Sequence, residues 1–326
     1  MTVHRRRFLG LTAAVAAIPA TSRMAAADTY PSRPVRLIVG FTAGAASDVV
    51  ARIFAGAATP FLGQQIVVEN KPGAGSSIAA QYVARAPNDG YTLFLPALSS
   101  LTNEVVNPSS PPLDMSKDFA PIALLADGPF YLVVNPSLNL KSVADLIALA
   151  KAKPGELSYG SVGAGSLPHL CGELFAQRAG IKLLHVPYPG SPQTVTDLIA
   201  GRITLSFTVG SSILGQLGAG QLQALATTGG KRSSLLPNVP TMAEAGITDF
   251  DVSLWLGLLA PAGAPRPVID TLAGAAQKAI QTAEAVELLR KQGYEARDVG
   301  PDAFAARIRS EIVRWSEVTR AAGLKS

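Results

Sequence analysis

The sequence predicts an α/β protein in which short parallel strands alternate with helices. Runs of β-branched and aliphatic residues, such as Val35 to Val39, lead through turns into helix-start signals such as Ser47-Asp48. This alternation is typical of a parallel sheet with helices on both faces. The chain has 326 residues, and the roughly 300 that follow its N-terminal segment provide enough length for two domains.

The first third of the chain contains predicted strands at Val35 to Val39, Ile66 to Val68 and Tyr91 to Leu95. One helix is predicted to begin near Ser47, and a second to run from Ser76 to Ala86. Each strand is short and aliphatic, as expected for strands covered on both faces. The pattern therefore predicts a first set of β–α units.

The same alternation continues through the rest of the chain. Further strands are predicted at Tyr131 to Val134, around Tyr159, and at Leu183 to Val186, Ile203 to Phe207, Leu222 to Thr227 and Leu254 to Ala260. Helices are predicted after Ser142 and over Val195 to Ala200, Val268 to Thr282, Ala285 to Gln292 and Pro301 to Ala322. Ser142 and Asp145 have capping-box spacing, in which the serine oxygen accepts from the backbone N–H at Asp145. Pro-rich breaks at 108–112 and 237–240 predict surface loops.

Residues 1–27 have the features of an export signal. A basic run from Arg5 to Arg7 precedes a short apolar run from Leu11 to Ala20, and Ala25 to Ala27 supply small residues for cleavage. The Arg-Arg-x-Phe-Leu core indicates the twin-arginine route, with the general route as the alternative. A transmembrane anchor is disfavoured because the run is shorter than the roughly 20 residues that span a bilayer. We expect a soluble periplasmic protein, cleaved near Ala27.

The charge and cysteine content exclude two further classes. The formal net charge of +5 includes four arginines and no acidic residue in 1–27, so removing that segment leaves +1 and little basis for nucleic-acid binding. Cys171 is the single cysteine, which excludes an internal disulfide. Its neighbours Leu170 and Leu174 predict a small buried residue on a helix rather than a reactive thiol.

Motifs for catalysis and cofactor binding are missing from the sequence. It contains no Gly-x-Ser-x-Gly elbow and no Gly-x-x-x-x-Gly-Lys-Ser/Thr loop. Gly73-Ala74-Gly75 lacks the third glycine of a dinucleotide-binding pattern. Beyond residue 27, the histidines are His169 and His185. We therefore expect no enzymatic activity, no cofactor and no metal site.

Two glycine-rich turns, each between a predicted strand and a helix start, are candidate ligand sites. Small residues let the backbone approach a ligand, and the free N–H groups of a helix start favour an anion. The alternative is that both are ordinary strand-to-helix turns, with Asp48 and Ser166 as helix caps. The candidate residues of the first turn are Phe41, Thr42, Ala43, Gly44, Ala45, Ala46, Ser47 and Asp48, and those of the second are Ser161, Gly163, Ala164, Gly165 and Ser166.

Three further polar residues lie close to these turns or to a strand end. His169 falls in the first turn of the helix after the second loop and is either a ligand contact or a packed, hydrogen-bonded helix residue. Ser99 and Ser100 follow the Tyr91 to Leu95 strand, at the edge of a parallel sheet where ligands collect, and are either ligand contacts or turn residues. Phe41 and Trp255 are apolar, and core packing is the simpler interpretation of both.

A series of short motifs occurs in order along nearly the whole chain after the signal. They are Tyr30-Pro31-Ser32-Arg33-Pro34, Val67 to Gly75, Asp89-Gly90-Tyr91-Thr92-Leu93, Asp118 to Ile122, Tyr159 to Leu170, His185-Val186-Pro187-Tyr188, Val239-Pro240-Thr241, Glu244-Ala245-Gly246 and Ala260 to Gly263. Because these motifs occur together, the chain resembles the Bug-type (TctC-like) solute-binding receptors of tripartite tricarboxylate transporters.

The resemblance implies a two-domain Venus flytrap of the type II periplasmic-binding-protein kind, each domain a mostly parallel sheet flanked by helices. Residues 28–128 with 252–326 would form domain 1 and residues 129–251 domain 2. The two glycine-rich turns would face each other and hold one carboxylate of a small ligand. The chain, a monomer, would deliver this carboxylate to membrane subunits of a tripartite tricarboxylate-type transporter.

Three departures from the pattern of the family leave the identity of the ligand open. Ala45 stands where many relatives have a second glycine, and Pro189 replaces a commonly basic residue. Thr208, a further candidate ligand residue, occupies a position that is frequently acidic. A ligand-sensing receptor with a signalling partner is the alternative function, and an exported hydrolase that uses His169 or Ser166 is a third hypothesis.

Overall fold

A computed structural model describes residues 30–108 and 111–324, so the predicted export signal lies outside the described part of the chain. Over these ranges the strands form a mixed ten-stranded sheet with the order β2-β1-β3-β9-β4-β7-β5-β6, in which β10 and β8 also pair with β4. The α/β class expected from the sequence is confirmed.

The first elements are three parallel strands and the helices between them. They are β1 (Val35–Val39), α1 (Ala46–Leu62), β2 (Ile66–Asn70), α2 (Ser77–Ala84), β3 (Thr92–Leu95) and α3 (Leu98–Val106). Strand β1 pairs in parallel with β2 on one side and with β3 on the other. The loops that leave the carboxyl ends of β1 and β3 therefore lie at the same edge of the sheet.

Two long antiparallel strands, β4 (Phe119–Val134) and β9 (Ser253–Pro261), link the two ends of the sheet. From Phe119 to Pro129, β4 pairs with β9, whereas from Phe130 to Val134 it pairs with β7 and β8. We call the strands on the β9 side of this change sheet A and those on the β7 side sheet B. The sheet therefore contains more antiparallel pairs than a mostly parallel sheet would, because β4 and β9 are antiparallel to their neighbours.

Sheet B contains the second set of β–α units. Its elements are α4 (Val143–Ala152), β5 (Ser158–Ser161), α5 (Leu167–Ala179), β6 (Leu184–Pro187), α6 (Ser191–Ile199), β7 (Leu205–Val209), α7 (Leu214–Gly218) and β8 (Gln223–Thr227). Strand β5 is parallel to both β6 and β7. Ser142 caps α4 as predicted and accepts from the N–H of Asp145 at 3.1 Å.

The chain returns to sheet A through β9 and ends in α8 (Arg266–Ile280), α9 (Ala283–Lys291), β10 (Glu295–Val299) and α10 (Pro301–Ala321). Trp255 on β9 is fully buried and packs edge-on against Phe304 of α10, at 5.3 Å between ring centroids, which confirms its assignment to the core. Cys171 is buried on α5, as predicted, and burial raises the pKa of its thiol.

Candidate ligand-binding site

A cavity of about 410 Å³ lies where the carboxyl ends of the sheet A strands meet those of sheet B. Residues from both sheets line it: Phe41, Gly75, Ser99, Asn103, Phe130, Ser161, Val162, Ala164, Gly165, Ser166, Leu167, Pro168, Ser191, Thr194, Ser206, Phe207, Thr208, Val209 and Leu254. Small-molecule sites in open α/β sheets form at this edge, and they are typically a few hundred Å³ in volume.

The loop between β5 and α5 forms one wall of the cavity. Gly163 and Gly165 adopt φ values of +121° and +75°, which the side chains of other residues disfavour. The Ser166 hydroxyl donates to the carbonyl of Gly163 at 2.6 Å and makes no capping bond to α5. Pro168 in the first turn removes one N–H donor. The Ser166 N–H donates to the Gly163 carbonyl at 3.2 Å, and among the described residues the N–H groups of Leu167 and His169 have no acceptor.

Two stacked histidines lie behind this loop and hold it in place. His169 is 3% exposed, and its Nδ1 accepts from the backbone N–H of Gly165 at 2.9 Å, which assigns its proton to Nε2. His185 stacks on His169 at 3.8 Å between ring centroids, and its Nε2 hydrogen-bonds the Ser161 hydroxyl at 2.7 Å. Between its two alternatives, the structure places His169 as a packed, hydrogen-bonded residue rather than in the cavity lining.

Burial keeps this histidine pair neutral. It lowers the pKa of His169, and burial together with repulsion from His169 lowers the pKa of His185 to about 4. Glu173 faces the pair, with its Oε1 at 3.7 Å from His169 Nε2, and only partly opposes this shift. The tyrosine packed beside both rings, Tyr159, donates to the same carboxylate oxygen at 2.5 Å.

The depressed pKa values predict how stability depends on pH. The unfolded chain takes up a proton at His185 near pH 6.5, whereas the folded chain does so near pH 4. The contribution of neutral His185 to the free energy of unfolding is therefore complete above pH 6.5 and declines as the pH falls below that value. After allowance for solvent screening, we expect the wild type to lose about 1–2 kcal/mol more unfolding free energy between pH 7 and pH 5 than His185→Gln does. Urea unfolding of both proteins at each pH measures this difference, and equal losses would contradict it.

The Ser161 hydroxyl that contacts His185 is held by its own loop. The Ser161 hydroxyl also donates to the Gly163 carbonyl at 3.0 Å and accepts from the Gly163 N–H at 3.2 Å. A base with a pKa of about 4 drives little proton transfer at neutral pH. In the pair named for a hydrolase, the Ser166 hydroxyl bonds to the Gly163 carbonyl and the His169 Nδ1 to the Gly165 N–H.

Several hydroxyls in the lining remain available to a ligand. Those of Ser206 and Thr194 are used within the fold, where they donate to the carbonyls of Gly160 and Gly190. Within residues 30–108 and 111–324, the Ser99, Ser191 and Thr208 hydroxyls make no hydrogen bond, and Thr208 is 5% exposed. Ser99 and Ser191 stand in the first turns of α3 and α6. Helix N-terminal turns and free hydroxyls therefore meet at the cavity.

The first glycine-rich turn is organised around Asp48. Its carboxylate accepts from the Gly44 N–H at 2.9 Å, from the Asn70 side chain at 2.9 Å and from Arg52. Asp48 thus holds the preceding loop and does not cap α1 at its N-cap position, and its bonds to Arg52, Gly44 and Asn70 outweigh burial to lower its pKa. Ala45 has φ −68° and ψ 160°, an extended conformation open to any residue, so the substitution for glycine causes no strain.

The structure brings part of the predicted set together. Phe41, Ser99, Ser161, Ala164, Gly165, Ser166 and Thr208 line the cavity. Outside its lining are Thr42, Ala43, Gly44, Ala45, Ala46, Ser47, Asp48, Ser100, Gly163 and His169. Ser100 is buried and caps α3, because its hydroxyl accepts from the Ala97 N–H at 3.3 Å.

Other lining residues carry no local pattern that predicts a ligand site from the sequence. Phe130, Val209 and Leu254 come from strands, and Asn103, Ser191 and Thr194 from helices. The lining residues at 206–209 could have been predicted, because they lie at the carboxyl end of β7. Neighbouring parallel strands present their carboxyl ends at one edge of the sheet.

The described part of the chain contains no His, Cys, Asp and Glu group that could hold a metal ion. Over the same residues, no helix combines the length and apolar character needed to cross a membrane.

Comparison with known proteins identifies close relatives over nearly the whole chain. The model of the tripartite tricarboxylate transporter family receptor (TctC) matches residues 50–324. Protein BugT of Bordetella pertussis (strain Tohama I) is 38% identical over 319 residues, which cover 97% of this chain and 98% of BugT.

Solved structures agree with this match. The periplasmic binding protein BugD is 32% identical, with a TM-score of 0.73 over 91% of this chain and 99% of BugD. An R. palustris protein solved with adipate is 34% identical, with a TM-score of 0.73 over 90% of this chain and 98% of its own. The fold is therefore that of the periplasmic binding proteins, as the sequence resemblance implied.

Proposed function

Because the chain belongs to the tripartite tricarboxylate transporter receptor family, we propose that it captures a small carboxylate and delivers it to a transporter of that type. The observation that carries this proposal is the cavity between sheets A and B, where free hydroxyls and helix N-terminal turns converge. Such donors complement an anion that carries its charge on two oxygens.

The magnitudes are consistent with a receptor. A hydrogen bond to a charged group contributes about 1.5–3 kcal/mol, and a helix N-terminus about 0.3–1 kcal/mol. Four or five such contacts offset the entropy of association and leave a net free energy near −8 kcal/mol, which corresponds to micromolar affinity.

We assign residues 28–128 and 252–326 to one domain and residues 129–251 to the other. The change in partners of β4 after Pro129, and the start of β9 at Ser253, support these boundaries. Closure of the two domains would bring the exposed turn at Thr42 to Gly44 toward the loop between β5 and α5. The predicted ligand residues of both turns would then contact one carboxylate.

We further propose that the protein acts outside the cytoplasm, with residues 1–27 as its cleaved twin-arginine signal. The receptor would release its ligand unchanged, because the described lining offers hydroxyls and amides but no ionisable side chain to act as acid or base.

Thermal denaturation in the presence of small carboxylates tests the proposed capture. A ligand that binds the folded state alone raises the melting temperature by mass action. We expect at least one acid among short mono-, di- and tricarboxylates to do so at millimolar concentration, while its primary amide does not. If no acid raises the melting temperature, or if only amides do, carboxylate capture is wrong.

A further inference from the structure

We infer that the ligand is a monocarboxylate with an uncharged, apolar body, such as a medium-chain or aromatic acid, rather than a di- or tricarboxylate. This inference rests on the proposed function, since it assumes that one carboxylate binds in the cavity. It concerns the part of the ligand that lies beyond that carboxylate.

The wall opposite the α5 helix start is apolar. Phe130 on β4 pairs directly with Val209 at the end of β7, and Leu254 lies at the start of β9 beside them. Phe41, which follows β1, adds a half-buried ring to the lining from sheet A. These side chains come mainly from strands, so their positions are fixed by the sheet.

The order of sheet B separates this wall from the anion-binding loops. The strands run β4-β7-β5-β6, and the helices that start at the cavity, α5 and α6, follow β5 and β6. Two strand spacings, about 10 Å, therefore separate β4 from β5. This distance matches the length of a six-carbon acid or a benzoate ring with its carboxyl group. The carboxylate would lie at Ser166 and Ser191, and the body of the ligand would extend toward Phe130.

A second carboxylate at the apolar wall would lose its water and gain no cation. Among the cavity residues that the structure describes, none is Arg, Lys or His. The free hydroxyl of Thr208 belongs to the residue that precedes Val209 in the chain. An ionised group that is buried without a partner is strongly disfavoured. An aliphatic chain or ring loses nothing there and buries apolar surface.

Matched ligand series distinguish the classes. Hexanoate, adipate and hexanamide share a six-carbon chain, and benzoate, terephthalate and benzamide share a ring. We expect calorimetric titration at pH 7 to show that the monocarboxylate of at least one series binds about 30-fold or more tightly than its matched dicarboxylate and its amide.

The outcomes separate the inference from the proposed function. Tighter binding of adipate or terephthalate would overturn the inference and leave carboxylate capture intact. Binding of the amides alone would overturn both, whereas the absence of binding by every compound in the two series would overturn the inference and leave capture of other small carboxylates to the thermal-denaturation test.

A charge placed on the apolar wall gives a second test. Val209 is partly exposed at the end of β7, where it lines the cavity, and its inner side packs against the core. Val209→Lys should shift the ratio of adipate to hexanoate affinity toward adipate by about tenfold or more. Val209→Met, which adds length without charge, should leave that ratio within about threefold. An unchanged ratio in Val209→Lys would contradict the assignment of this wall to the uncharged end of the ligand.

Discussion

Replacing Ser166 by aspartate should strongly weaken carboxylate binding while the protein remains folded. Ser166 lies at the N-cap of α5 and faces the cavity, and its hydroxyl does not cap the helix. An aspartate carboxylate there would accept from the first N–H groups of α5, which are the donors proposed for the ligand. It would also repel the ligand charge. We expect an affinity loss of about 100-fold or more, equivalent to about 2.7 kcal/mol.

The matched control is Ser166→Asn, which has the same shape and can cap the helix without a charge. We expect it to lose about tenfold or less in affinity. Both variants give up the bond from the Ser166 hydroxyl to the Gly163 carbonyl, so both should stay within about 1 kcal/mol of wild-type stability in urea unfolding. Equal affinity losses in the two variants would show that charge at this helix start is not decisive for binding.

Replacing Arg297 by methionine should produce the largest loss of stability. Asp127 on β4 is 5% exposed, and the Arg297 Nε on β10 lies 2.6 Å from its Oδ1. Burial raises the pKa of Asp127 even though the guanidinium opposes the shift. Loss of one partner from a buried ion pair leaves an unpaired charge, and the cost is about 3–5 kcal/mol. Urea unfolding at pH 7 measures it.

The loss should depend on pH in a direction that the pKa of Asp127 fixes. A carboxyl whose folded-state pKa lies above its ordinary value stabilises the folded state at a pH below that ordinary value. This contribution to the free energy of unfolding is lost as the pH rises through the folded-state pKa. Without Arg297 the pKa rises further, so the deficit of Arg297→Met should shrink as the pH falls from 7 toward 4.5. Adding Asp127→Asn should restore part of the stability at pH 7. A deficit that is the same at both pH values would contradict this account.

Arg297 also contacts Glu295 at 3.1 Å, but Glu295 keeps Lys231 as a partner at 3.2 Å. The Lys231–Glu295 pair joins the chain that follows sheet B to β10 of sheet A. Arg297→Lys retains the charge at this junction, and we expect it to keep more stability than the methionine variant.

Much of the fold was predictable because most strands carry a strong local signal. Strands β1, β3 and β7 are aliphatic and bounded by turns, and the sequence placed each of them within a few residues. Strand β10 was missed because its sequence, Glu295-Ala296-Arg297-Asp298-Val299, is mostly charged. Its position depends on ion pairs made across the sheet, such as Arg297 with Asp127, which no local pattern reveals.

The candidate site was predictable where it depends on the backbone. The loop from Ser161 to Ser166 lines the cavity. It was predictable because its glycines and the helix start that follows them form a recognisable pattern in the sequence. The apolar wall was not predictable, because Phe130, Val209 and Leu254 resemble any core strand residues until the topology places them at one edge. In the first turn, Asp48 accepts from the Gly44 N–H, a contact that the glycine pattern alone does not reveal.

We propose that the chain holds a small carboxylate between its two sheets and releases it unchanged. Native mass spectrometry of the protein purified from its own host tests this most directly. We expect one small acid per wild-type chain, recovered with unaltered mass on denaturation and missing from Ser166→Asp. A retained ligand without a carboxyl group, or an acid recovered as a chemically altered product, would contradict the account.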